Sequence, residues 1–275
     1  MSRINVLDSS IYNRISAGEV VERPASVVKE LIENSLDAKA SSITIEIKAG
    51  GIKLIKITDN GVGLEYEDLK KAFLPHATSK ISNVDDLDSI ATLGFRGEAL
   101  ASISAVSRVE MYSKTLESEV GGKIIVNGGA FEEVTEYGCA VGTTIIVKDL
   151  FYNTPARLKF LKGVKQEENA ITNIINRLIL ANPNIAVKYI VDDKVIYNSI
   201  QKGLEAKIYD VYGKDYVTNL IKINVKNGLY KLNGFISLPS FCKANKTYQT
   251  LIVNGRYVTN SLISVAVSNA YENFL

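Results

Sequence analysis

The spacing of apolar and polar residues changes period several times along the chain, and each change predicts an element. Behind Pro24, which loses no hydrogen bond at a first helical position, apolar residues recur at helical spacing through Asp37. At about 100° per residue, Glu30, Asn34 and Asp37 share one side of that helix, and Val28, Leu31, Ile32 and Leu36 share the other. Residues 42–48 and 52–58 then alternate with period two on either side of Ala49-Gly50-Gly51, which predicts a β-hairpin with Asp59 where the second strand runs out into a loop. Residues 65–72 read as a short helix. Leu74 to Gly97 has poor periodicity, and a loop of that length in a compact domain reads as a functional lid. A helix ending near Ala105 follows, and alternation returns at 108–114, 122–126 and 143–148. Phe151 to Arg157 leads into a helical stretch reaching about Ala181. Strands are expected at 185–190 and 194–197 around Asp192-Asp193, at 221–225 and 230–236 around Asn227-Gly228, and at 251–253, with a closing helix from Ser261.

These elements describe an α+β chain whose first domain lays helices on one face of a mixed, largely antiparallel sheet. The pattern restarts beyond Gly203, so a domain boundary is expected between 200 and 216 and is drawn here at 205/206.

Composition narrows the classes. In 275 residues, 46% are hydrophobic and 23% charged, the balance of a soluble globular protein with room for two moderate cores. No apolar run approaches the roughly 20 residues that span a bilayer, and Ser2, Arg3, Asn5 and Asp8 interrupt any signal-peptide core, so no membrane association and a cytoplasmic location are expected. Cys139 and Cys242 stand far apart without a CxxC partner, which argues against a zinc site or a disulfide framework. The net charge of +2 is uneven: residues 200–275 carry nine Lys or Arg against four Asp or Glu. That basic final quarter is suited to phosphate backbones, although its lysines are spread out.

The chemistry concentrates in three blocks. Glu30 and Asn34 project from one helix face, and 22 residues after Asp37 comes Asp59-Asn60-Gly61-Val62-Gly63. A buried Asp59 can accept a hydrogen bond from the exocyclic amine of adenine, while Gly61 and Gly63 have no Cβ to hold a planar ligand away. Thr143 and Thr144, after Gly142, are placed to close the floor below the base. Gly94-Phe95-Arg96-Gly97-Glu98-Ala99-Leu100 opens a helix, whose free N–H groups beside glycines make an anion site for a triphosphate. No GxxxxGK[ST] motif occurs, so a P-loop is excluded. Mg²⁺ needs few protein oxygens, and the Asn34 side chain with phosphate oxygens suffices. Glu30, one turn earlier, can take the proton from the attacking water, and Glu33 lies nearer the edge of the polar face. His76 is the chain's single histidine and reads as a lid or core residue; no Ser/His/Asp triad can be built on it.

Taken in this order, the blocks resemble the GHKL ATPases, the group holding DNA gyrase B, Hsp90, histidine kinases and MutL. Within it the long identities are to the MutL family of DNA mismatch repair proteins: residues 15–31, His76-Ala-Thr-Ser-Lys80, Gly94 to Leu100, Phe151 to Arg157, and Val253-Asn254-Gly255-Arg256. The resemblance implies a Bergerat-fold α/β sandwich followed by a domain similar to ribosomal protein S5 domain 2, the latter truncated. It implies Glu30 as catalytic base, Asn34 as magnesium ligand, Asp59 as adenine contact, Thr78, Ser79 and Lys80 as lid contacts, and Arg96 to Leu100 around the phosphates of ATP. Asp37, Gly61, Gly63, Gly94 and Thr144 complete the expected nucleotide set, and Arg256 is the expected DNA contact.

The resemblance further implies that ATP orders the lid and the arm at about residues 1–20. Two copies then join as a homodimeric clamp on DNA without sequence specificity, signalling between mismatch-recognition and strand-processing repair proteins. Family members supply a further lysine to the γ-phosphate late in the second domain, and a carboxy-terminal domain beyond it. The chain stops at Leu275 before both, so weakened hydrolysis is expected. A histidine kinase domain, a chaperone or topoisomerase ATPase, and a DNA-binding scaffold with nucleotide as a structural element remain as other readings.

Overall fold

The computed structural model describes residues 17, 18, 20–77, 97–200, 202–241, 243, 248–272 and 274. The chain divides into two compact units, Met1–Ile175 with Ala186–Asn198, and Asn176–Ile185 with Ser199–Leu275. This division falls between Asn198 and Ser199, and one long helix, α4 (Val164–Ala181), contributes residues to both units, a crossing of which a continuous helical pattern carries no mark.

The first unit is built on an eight-stranded sheet, in the order β5-β4-β3-β6-β2-β1-β7-β8. Its strands are β1 (Ser42–Lys48), β2 (Leu54–Asp59), β3 (Arg108–Lys114), β4 (Gly121–Asn127), β5 (Ala130–Tyr137), β6 (Gly142–Lys148), β7 (Ala186–Val191) and β8 (Lys194–Ser199). β1 pairs with β7 in parallel, whereas β1–β2, β2–β6, β3–β6, β3–β4 and β4–β5 are antiparallel. Residues paired across strands share a face, so the register lays the core out in rows. One row runs Tyr189, Ile45, Ile57, Ile145, Met111, Ile124, and the next runs Val191, Ile47, Ile55, Val147, Val109, Val126; all are buried. Burial pushes the Tyr189 hydroxyl up to about 12.

Over this face lie α1 (Pro24–Asp37) and α2 (Ala99–Ala105), with the early turns of α4, where Ile171 and Ile175 are buried. The entry of α1 is fixed by charge: Arg23, its N-cap, donates from Nε and Nη2 to Glu167 Oε2 at 3.0 and 2.9 Å, and the Lys162 amide donates to Oε1 at 3.1 Å. Glu167 is almost wholly buried, so this pairing satisfies a carboxylate that burial would otherwise leave costly.

Several expectations are corrected. Residues 65–72 form two 3₁₀ turns, Tyr66–Asp68 and Lys71–Phe73, and no single helix. The stretch after Phe151 breaks into α3 (Pro155–Phe160) and α4, because Gly163 interrupts the helical run. β5 was not anticipated, since as an edge strand it is exposed on most positions and shows no alternation.

The second unit holds α5 (Leu204–Tyr212), α6 (Lys214–Thr218), the hairpin β9 (Leu220–Asn227) and β10 (Tyr230–Ser237), the hairpin β11 (Leu251–Val253) and β12 (Arg256–Val258), and α7 (Ser261–Tyr271). Neither α5 nor α6 nor β12 was expected. At the β11–β12 turn Asn254 and Gly255 both have positive φ, 49° and 78°, the conformation an Asn-Gly hairpin turn requires. Lys207 is fully buried and donates from Nζ to Ile185 O, Ser199 O and Ser199 Oγ at 2.8 to 2.9 Å.

Candidate active site

The inner face of the sheet ends in a row of different chemistry. Beyond the two buried apolar rows, the register places Val187, Ile43, Asp59, Thr143, Ser113 and Gly122 side by side. Three adjacent strands, β2, β6 and β3, therefore each present a polar side chain at one end of an otherwise apolar core face. Asp59 is half-buried, not buried as expected.

Its carboxylate is held on both oxygens. Ser35 Oγ donates to Oδ2 at 2.8 Å from α1, and the Gly61 amide donates to Oδ1 at 2.8 Å. Ser113 Oγ lies 2.9 Å from Thr143 Oγ1, and the Leu64 amide donates to Ser113 Oγ at 2.8 Å. Ser35 was missed in the sequence because it falls off the Glu30–Asn34–Asp37 face; it is buried between that helix and the strand. It is the element that registers α1 against Asp59.

Thr144 does not join this row. It pairs with Thr58 on the opposite face, where its hydroxyl donates to Thr58 Oγ1 at 3.1 Å. A one-residue step along a strand exchanges faces, so Thr143 is the threonine that shares the Asp59 face.

The glycines are required by the protein itself. A Cβ on Gly61 would stand 2.7 Å from Ala38 O, at the end of α1, whose carbonyl also accepts the Val62 amide at 2.9 Å. A Cβ on Gly63, where φ is +73°, would stand 2.0 Å from Lys114 O. The loop is thereby pressed against α1 and β3, so packing within the protein by itself already calls for glycine at both positions.

On α1, Glu30 and Asn34 are half-buried and Asp37 lies on the same side. Glu33, at the edge of that side, is buried, with only 8% of it exposed. Burial pushes its carboxyl above the usual carboxylate range, against the pull of Lys29 Nζ at 3.6 Å; Lys29 Nζ also lies 4.0 Å from Glu30.

Of the phosphate block, Gly97 and Glu98 lead into α2 and Ala99 and Leu100 open it, with φ +62° at Gly97, where an added Cβ would stand 2.5 Å from Ala77 O. His76 Nδ1 lies 3.3 Å from Glu98 Oε1; the imidazole is mostly exposed, which removes the core alternative. Thr78, Ser79, Lys80, Gly94 and Arg96 lie outside the described residues, as does nearly all of the 1–20 arm. Arg256 is half-buried at the start of β12, and beside it the Arg177 guanidinium covers the Tyr257 ring at 4.3 Å. A cavity of about 630 Å³ belongs to the second unit, lined among others by Lys202, Tyr209, Lys222, Asn233 and Phe235; it contains none of the expected site residues. Among the described residues no cluster of His, Cys, Asp or Glu forms a metal cage, and no helix is long and apolar enough to cross a membrane.

Comparison with known proteins agrees with this architecture. Residues 22–137 match the family of histidine kinase-, DNA gyrase B-, and HSP90-like ATPases, and residues 208–275 match the DNA mismatch repair protein, C-terminal domain, family. The chain is 48% identical over 276 aligned residues to the DNA mismatch repair protein MutL of Clostridium tetani, covering all of this chain and 44% of that protein. It is 49% identical to MutL of Clostridium botulinum, covering 41% of it, so the chain spans less than half the length of these curated relatives. Among solved structures, the Aquifex aeolicus MutL ATPase domain complexed with ADP superposes with a TM-score of 0.70 at 27% identity, over 91% of this chain and 88% of that one. The N-terminal domain of a DNA repair protein gives 0.80 at 27% identity, over 95% and 82%. A GHKL-type sheet ending in the Asp59–Thr143–Ser113 row, joined to a mismatch-repair domain and matched along its whole length by these relatives, places the chain in the MutL family of DNA mismatch repair proteins.

Proposed function

We propose that the first unit binds Mg-ATP and hydrolyses it slowly, and that the second unit contacts DNA. The observation that carries this reading is the junction of α1 with the polar end of the sheet through Ser35 and Asp59. With both oxygens already accepting hydrogen bonds, Asp59 is fixed in orientation, so its remaining lone pairs can receive an adenine amine without reorganisation. Thr143 beside it offers a hydroxyl to the ring edge. Glu30 is the base that accepts the proton of the attacking water, worth about 100- to 10,000-fold in rate.

The donor chemistry fits magnesium. Asn34 offers one hard, neutral oxygen, and the triphosphate and water provide the rest, as this ion prefers. When bound, Mg²⁺ neutralises phosphate charge; Asn34 holds it on the Glu30 face. Gly97 to Leu100, Lys80 and Arg96 complete the phosphate end. ATP binding would bring two copies together as a cytoplasmic DNA clamp serving mismatch-recognition and strand-processing proteins. Arg256 and the basic second unit would contact phosphates and leave bases unread.

Glu30→Ala should keep ATP binding and abolish turnover, and Asp59→Asn should weaken ATP binding by about tenfold or more, the cost of one buried charge-assisted hydrogen bond. Unchanged hydrolysis in the first variant, or equal ATP affinity in the second, measured by titration and phosphate release, overturns the respective assignment.

A further inference from the structure

Three ionisable side chains crowd one flank of α1. Lys29 Nζ stands between two carboxylates, 3.6 Å from Glu33 and 4.0 Å from Glu30. The two acids differ in solvation: the Glu33 side chain is 11% exposed and the Glu30 side chain 28%. A carboxylate removed from water needs a cation more than one that water still reaches, so Glu33 has the stronger claim on the shared ammonium. The shorter distance agrees.

The competition bears on catalysis. An ammonium in full contact with a carboxylate lowers its basicity and occupies a lone pair that a water proton needs. We infer that Glu33 is a positioning residue for Glu30: it draws the Lys29 ammonium aside and leaves the Glu30 carboxylate available to the attacking water. The inference rests on Glu30 being the base. Glu33 itself touches neither nucleotide nor water in this role.

Removing the Glu33 charge alone frees Lys29 to close on Glu30, whereas removing both charges leaves Glu30 unencumbered. In single-turnover ATP hydrolysis with this chain in excess, Glu33→Gln should therefore slow phosphate release by about tenfold, a fraction of what a general base contributes. Its affinity for a fluorescent ATP analogue should stay within about twofold, because the lost interaction is with the base and not with the nucleotide. The double variant Lys29→Met/Glu33→Gln should recover most of that loss, and Lys29→Met alone should hydrolyse at least as fast as the unaltered chain, because its ammonium is already held aside.

A purely structural role for Glu33 predicts otherwise: the double variant would be as slow as Glu33→Gln, or the affinity would fall in step with the rate. Either result overturns the inference, as does a Glu33→Gln rate equal to that of the unaltered chain. Should Glu33→Gln not fold, Lys29→Met decides alone, because a slower Lys29→Met is incompatible with an ammonium that restrains the base. Glu30→Gln separates the two levels. If it still hydrolyses ATP, the assignment of the base fails; if it is inactive while Glu33→Gln is normal, only the positioning role fails.

Discussion

Strands β1 and β9 alternate apolar and polar residues in the same way, yet they live in different surroundings. In β1, Ile43, Ile45 and Ile47 are at most 1% exposed; in β9, Ile221 is 45% and Val225 54% exposed. β1 lies between β2 and β7 under helices, whereas among the described strands β9 pairs only with β10. Period-two alternation thus reports which residues share a face, and says nothing about whether that face is covered. The difference also decides where a site can be held still. A polar row such as Asp59–Thr143–Ser113 keeps its geometry because the rows behind it are locked by packing.

The glycines draw the same contrast, and substituting them is the strongest way to test it. At Gly142 φ is +113° and a Cβ would stand 2.1 Å from Asp59 O; at Gly228 φ is +57° with nothing within 4 Å. Gly142→Ala should cost about 4 kcal/mol or more, combining backbone strain with displacement of the strand that carries Asp59. Gly228→Ala should cost about 1–2 kcal/mol, the strain of a left-handed residue alone. Urea midpoints of the two variants measure this, and equal losses would erase the contrast between the units.

Truncating one isoleucine in each unit probes the packing itself. Ile45→Ala removes three carbons from the middle of the buried row and should cost about 3 kcal/mol. Ile221→Ala, on a strand whose face is half open, should cost about 1 kcal/mol or less. Thermal unfolding of both variants is the check, and a loss at Ile221 matching that at Ile45 would mean that β9 is packed as tightly as β1.

How much of this was legible follows from the same contrast. α1, β1 and β2 could be read because one face of each is buried, so their apolar period is complete, and Pro24 and Asp59 mark their ends. β5 could not be read, because an edge strand with both faces largely exposed is free of that pattern. Glu30, Asn34 and Asp59 were found by helical phase and by the turn that follows Asp59. Thr143 and Thr144 were both named as floor residues, but which of them shares the Asp59 face, and that Ser35 and Ser113 join it, depends on tertiary neighbours. The pairing of β2 with β6, and of β6 with β3, joins residues more than 80 and about 30 positions apart, and no local pattern records it. The burial of Glu33 was not legible for a related reason: a position at the edge of a helical face is buried or exposed according to its tertiary neighbours.

Glu33 and Lys207 give the subtlest comparison, since each is a buried ionisable group, one in each unit, and burial shifts them in opposite senses. The Glu33 carboxyl is raised above its ordinary 4.5, mainly by burial, so between 4.5 and the raised value the folded chain binds more protons than the unfolded chain. Stability from this group is therefore fully present below pH 4.5 and is lost as pH rises through the raised value. The Lys207 ammonium is lowered from its ordinary 10.5, again mainly by burial, with Asp210 opposing, so between the lowered value and 10.5 the unfolded chain binds more protons. Stability there rises with pH. Against Glu33→Gln, the unaltered chain should lose stability as pH is raised from 4.5 through the raised value; against Lys207→Met it should gain as pH is raised toward 10.5. Urea titrations at stepped pH measure both slopes. Slopes of the same sign would show that desolvation does not govern these two groups, because burial of an acid and of a base must tilt stability in opposite directions.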